Sequence, residues 1–232
     1  MPEANAILTF VIWYVAFIFS TTVHEFGHAV TAYWGGDSTA YDAGQVSLDP
    51  MPHIRREPFG MAILPILSFV FSGFVIGYAS APYNPRWAER NPTKYAGMSA
   101  AGPAGNFILA GLAFGIMTFL LGNGTLVLGN GGLSTLVLAP GAQAQSTLGA
   151  VAMFLSVMLA LNVILGTFNL LPIPPLDGSG VLEGLFPDKA GAFYQKLRSQ
   201  PGLSIFGLII AWNVYPFVAT PVLSWVVGLL YS

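Results

Sequence analysis

The stretch TTVHEFGHAV, residues 21–30, closes an apolar run that begins near residue 6 and is long enough to cross a bilayer as a helix. It puts two histidines and a glutamate where hydrocarbon is expected. Ionisable groups inside a span are costly, so they point to function. His24 and His28 are four residues apart and share one helix face, about 6 Å apart along the axis. Two imidazoles so placed reach a single zinc ion at about 2.0–2.1 Å. Glu25, beside the first histidine, can take a proton from a water on that ion, which is the logic of an HExxH zinc hydrolase. The competing reading, histidines hydrogen-bonded to neighbouring helices without metal, leaves three costly groups unexplained.

Composition agrees with a membrane setting. Of 232 residues, 54% are hydrophobic and only 8% charged, and the mean hydropathy is +0.67. A soluble domain carries about 25% charged residues, so much of this surface has to face lipid. The net charge of −2 says nothing about nucleic acid, and there is no basic run to bind any, so no nucleic-acid partner is expected. The absence of cysteine removes disulfides and thiolate metal sites. The first residues, MPEANAILTF, lack the basic start and small-residue cleavage site of a signal peptide, so the first span is expected to stay attached.

Four segments read as spans: 6–32, 97–122, 148–171 and 203–231, the last with Pro216 and Pro221 that kink or split it. A fifth apolar stretch, 60–80, is broken by Pro65, Gly73 and Gly77. The eight Lys and Arg decide between its crossing and its turning back. They lie at 55–56, 86–94 and 189–198. Crossing splits them six against two, whereas re-entry puts all eight on one face, the cleaner pattern under the positive-inside rule. The expected fold is an all-α integral membrane protein of four spans, five or six if the ambiguous segments cross or split, plus a re-entrant segment. Both termini are then extracytoplasmic. TAYDAGQVSLDP (39–50) suggests a short β-hairpin near the cytoplasmic face. The two TLVL pieces of the loop over 122–145 read as an exterior loop or as short strands. Residues 1–232 form a single domain with its core over 6–180 and a C-terminal helical segment at 203–231.

A catalytic zinc needs a third protein ligand and an open position. His53 and Asp177 are the candidates. Asp177 lies in FNLLPIPPLDGSG (168–180), where Pro172, Pro174 and Pro175 stop the third span and Gly178 permits a turn. Spacing alone leaves it level with an ordinary Asp-Gly turn.

Taken together, HEFGH, AAGPAGN (100–106) and NLLPIPPLDG resemble the site-2 protease family of intramembrane zinc metalloproteases, in the order that family has them. The resemblance spans residues 15–180 and is nearest the compact bacterial and archaeal branch without PDZ or CBS domains. It implies His24, His28 and Asp177 as ligands of one Zn²⁺ per chain, Glu25 as general base and Asn169 as a substrate-binding residue. His53 then becomes a secondary polar neighbour of the cavity, or a histidine at the membrane interface. The chain departs from the branch after His53-Ile54, where Arg55 and Arg56 displace the expected acid to Glu57. AAGPAGN reads as a thin helix surface packed on the zinc-bearing helix, with Pro103 near a helix start and Asn106 satisfying a buried backbone group.

The resemblance implies regulated intramembrane proteolysis of single-pass membrane proteins or signal peptides. It also implies a multi-pass protein of a prokaryotic plasma membrane with its active site toward the cytoplasm. The alternatives are an inactive scaffold of the same fold, or a transporter with a midplane ion site. A transporter expects two related halves, and no internal repeat is present.

Overall fold

The computed structural model describes residues 2–141 and 146–232. The first span is α1 (Pro2–Gly35), ended by Gly36 at φ 98°. The connection that follows holds three short helices, α2 (Thr39–Asp42), α3 (Pro50–Arg56) and α4 (Leu64–Ser72), the last preceded by a π-helical turn at Phe59–Ile63. Helices α5 (Pro85–Arg90) and α6 (Pro92–Gly122) lead to the hairpin strands β1 (Val127–Leu128) and β2 (Val137–Leu138). Then come α7 (Thr147–Asn169), α8 (Asp177–Leu185), α9 (Ala192–Arg198) and α10 (Pro201–Tyr231), with a π-helical turn at Pro187–Gly191 between α8 and α9. Several of these start on a local signal. Asp49 caps α3 and Asn84 caps α5, each just ahead of a proline, and the Ser146 hydroxyl accepts from Gly149 N at the start of α7.

Among the described residues, four helices are long and apolar enough to cross a bilayer: Ala6–Gly35, Pro92–Gly122, Thr147–Asn169 and Ile205–Tyr231. Helix α6 packs on α1, α7 and α8, while α10 rests on α7 and α9. The core runs between α1, α6 and α7 through Phe17, Met117, Val157 and Leu161. Lipid is the natural neighbour of the outward residues of α10, such as Phe217 and Trp225. Pro216 and Pro221 do not split α10, which is one continuous helix.

The stretch 60–80 turns back. The turn at Phe59–Ile63 and α4 together rise about 20 Å, short of the roughly 30 Å of hydrocarbon. At Gly73 the backbone takes φ 70°, a conformation that glycine alone adopts without strain, and the chain returns extended. The return is stitched to the outward leg: Tyr78 N donates to Gly60 O (3.1 Å), Ile76 N to Ser68 Oγ (2.9 Å), and Arg56 Nε to Ser80 O (2.9 Å). A side chain at Gly77 would strike Gly60 O and the Phe17 ring, so the re-entrant piece is pressed against α1.

Two expectations are corrected. No hairpin forms over 39–48. The buried Asp37 carboxylate binds Thr39 N, Thr39 Oγ1 and Asn84 N, which nucleates α2 where alternation alone suggested a strand. The β-hairpin lies instead at the TLVL pieces, with Val127 opposite Leu138 and Leu128 opposite Val137. It is no loose loop: Leu126, Leu136 and Val137 are buried in the core, and Trp13, Ser156 and Tyr231 hydrogen-bond to it. Residues 142–145 of that loop lie outside the described residues. Pro103, placed near a helix start by the sequence, sits well inside α6.

Candidate metal centre

His24 and His28 lie on the inner face of α1, and Asp177 opens α8 after the proline turn that ends α7. The turn is tight because Gly178 touches the end of α7; a side chain there would strike Leu170 O and Leu171 O. This brings a carboxylate to two imidazoles more than 140 positions away. The Nε2 atoms of His24 and His28 are 3.0 Å apart. Asp177 Oδ2 is 3.0 Å from His24 Nε2, and Oδ1 is 3.3 Å from His28 Nε2. Two ligands about 2.0–2.1 Å from a tetrahedral zinc are about 3.3 Å apart, so the three groups stand near the spacing of one coordination face.

Their chemistry fits a cation. His24 Nδ1 lies 2.6 Å from Asn106 Oδ1, and His28 Nδ1 lies 2.7 Å from Met98 O. Both partners are oxygens that only accept, so each Nδ1 carries the proton and each Nε2 turns a lone pair inward. Asp177 Oδ2 is buried and accepts no hydrogen bond. The space between them is kept by Gly102, where an added Cβ would stand 2.4 Å from His28 Nε2 and 2.6 Å from His24 Nε2. Here α6 supplies what the ligands need behind them, namely an acceptor for each imidazole, as metal-ligating histidines generally require. Gly27 lies against Ala101 O and Gly105 against Val23, which lets α6 approach α1 this closely.

Glu25 is 4% exposed, within electrostatic reach of His28, and its Oε2 has no hydrogen-bond partner. Among the described residues His24, His28 and Asp177 form the one group able to hold a metal ion. His53 is not among them. It is 1% exposed, and its Nε2 donates to Ser47 O (2.9 Å). With Gln45 Nε2 on Pro52 O (3.0 Å), it braces the segment 45–49, which bends at Val46 and Leu48, beside α3. Asn169 ends α7 half-buried, with its Nδ2 on Leu165 O (3.1 Å). The sequence reading missed Asn106 as a histidine partner. Its amide does reach a backbone group, Ser20 O at 3.4 Å, but its nearer partner is His24. An asparagine three residues after a helical proline was the available signal.

Comparison with known proteins agrees with the geometry. The chain is 31% identical over 211 residues to "Putative zinc metalloprotease YwhC" of Bacillus subtilis, covering 90% of this chain and 84% of that protein. It is 28% identical to "Putative zinc metalloprotease Rip2" of Mycolicibacterium smegmatis over 75% of this chain and 57% of that one. The protein of that name in Mycobacterium tuberculosis is 27% identical, over 96% of this chain and 72% of its own length. No solved structure matches. The profile of Peptidase family M50 matches residues 12–211, most of the chain, and the chain belongs to that family of zinc-dependent membrane metalloproteases.

Proposed function

We propose that this zinc metalloprotease hydrolyses peptide bonds in or beside transmembrane segments of single-pass membrane proteins or signal peptides, the cutting step of regulated intramembrane proteolysis. The observation that carries this reading is the burial of the centre within apolar spanning helices: His24, Glu25 and His28 are each under 10% exposed, on a helix long enough to cross the bilayer. A substrate has to reach such a centre through lipid. His24, His28 and Asp177 would hold the ion. When bound, zinc polarises a peptide carbonyl and acidifies water. Glu25, through its unpartnered Oε2, takes the proton of the attacking water and returns it to the leaving amine. Asn169, where the helix gives way to the proline turn, binds the unwound substrate backbone, and residues 45–48 receive that backbone by strand addition.

Seven of the eight basic residues lie in the connections 36–91 and 170–204 and the eighth, Lys94, in the first turn of α6, which supports a cytoplasmic position for both connections. The membrane is then the plasma membrane of a prokaryote, the cut faces inward, and the whole chain acts as one protease domain. Purified protein tests the chemistry. Asp177→Ala is expected to lose most of its zinc. Glu25→Gln is expected to keep about one zinc per chain and to lose turnover of a transmembrane peptide by 10²–10⁴-fold, the usual weight of a general base. Full turnover by Glu25→Gln would remove Glu25 from the reaction, and full zinc in Asp177→Ala would remove Asp177 from the ligand set.

A further inference from the structure

We infer that Asn162 is a positioning residue for the metal centre: it decides which end of the Asn106 carboxamide meets His24. Ser20, Asn106 and Asn162 are all fully buried at 0% exposure, one each on α1, α6 and α7. Asn162 Nδ2 is 2.8 Å from Met158 O and 2.9 Å from Ser20 Oγ. A backbone carbonyl can only accept, so the nitrogen has to stand there. The reversed amide would set Asn162 Oδ1 against Met158 O at the same distance, two acceptors face to face.

With both its protons engaged, Asn162 turns Oδ1 toward Asn106. Asn106 Nδ2 donates to that oxygen over 2.9 Å and lies 3.4 Å from a second fixed acceptor, Ser20 O. The Asn106 oxygen is thereby left facing His24 Nδ1 at 2.6 Å. A reversed Asn106 would offer His24 an NH₂ group, move the imidazole proton to Nε2 and block the lone pair that a metal needs. The polarity thus begins at a backbone carbonyl of α7 and passes through two amides to the ligand on α1. No water competes in a chain so buried, and a mispaired group there is costly.

The inference rests on His24 as a zinc ligand, and zinc affinity of the purified full chain, measured by competition with a chelator, tests it without a substrate. Asn162→Leu, which keeps volume, and Asn162→Ala, which frees it, are each expected to weaken zinc by about 10–100-fold, the range for a lost outer partner of a ligand. Asn106→Asp supplies the control. Either carboxylate oxygen accepts from His24, so orientation no longer matters, while the other oxygen now faces the acceptors Asn162 Oδ1 and Ser20 O. In that background Asn162→Leu, which removes a facing acceptor, is expected to weaken zinc by no more than about threefold, near the scatter of independent sites. The same loss in both backgrounds would make Asn162 a packing residue and overturn the inference, as would unchanged affinity in both single variants. If neither replacement folds in either background, Asn162 serves folding and the inference fails. A wild-type chain that binds no zinc would overturn the ligand set itself, a result distinct from these.

Discussion

At Gly102 the chain withholds a side chain where one would strike both ligand imidazoles. The Cβ of an alanine would stand 2.4 Å from His28 Nε2 and 2.6 Å from His24 Nε2, so the imidazoles would have to move apart from their ligand positions. Gly102→Ala is therefore expected to lose most of its zinc while helix content by circular dichroism stays unchanged, because α6 is otherwise well served by alanine. One zinc per chain in that variant would place the ion elsewhere. The sequence shows this centre unevenly, for a physical reason. His24, Glu25 and His28 are legible because the ligand spacing is local, one turn of one helix. Asp177 is open on spacing alone, and only the concordance of three motifs singles it out. The role of Asn106 is not legible, since its contact with His24 joins residues 82 positions apart and depends on how two helices are docked.

At the scale of elements, alternation misleads where polar side chains capture the backbone. TAYDAGQV alternates as a strand would, yet Asp37 ties down the first turn of α2, and Gln45 N closes the next turn on Ala40 O. The TLVL pieces, shorter and less promising, do pair, because the bundle end offers an apolar seat for Leu126, Leu136 and Val137. Residues 45–49 form no strand and bend at Val46 and Leu48, braced by Gln45 and His53. The N–H groups of Val46 and Leu48 carry no backbone bond among the described residues. Proline at either position deletes a donor. If this edge receives the substrate, Val46→Pro or Leu48→Pro lowers turnover of a transmembrane peptide, by about tenfold for one charge-free hydrogen bond and its neighbours, with zinc content intact. Unchanged turnover in both would take 45–48 out of the mechanism.

For the whole molecule, the decisive element is the re-entrant hairpin, because it fixes the parity of crossings. Its outward helix is too short to span, and Gly73 with the Tyr78–Gly60 pairing returns the chain to the side it left. Lys94 Nζ reaches Gly35 O (3.0 Å), so the end of α1 and the start of α6 stand at one level. That contact requires the whole connection between them to begin and end on one face. With four crossings, every Lys and Arg then lies at that face, and the β-hairpin lies on the other. The absence of cysteine makes this directly testable. In spheroplasts a membrane-impermeant maleimide is expected to label Asn123→Cys, beside the hairpin, and to leave Ser199→Cys, between α9 and α10, unlabelled until lysis. Both positions are exposed, so protection reports the side of the membrane rather than burial. Labelling of both without lysis would mean an even number of crossings between them, and the segment between α7 and α10 would have to contain a span. Labelling of Ser199→Cys alone would keep four spans and invert the protein, turning the metal centre away from the cytoplasm.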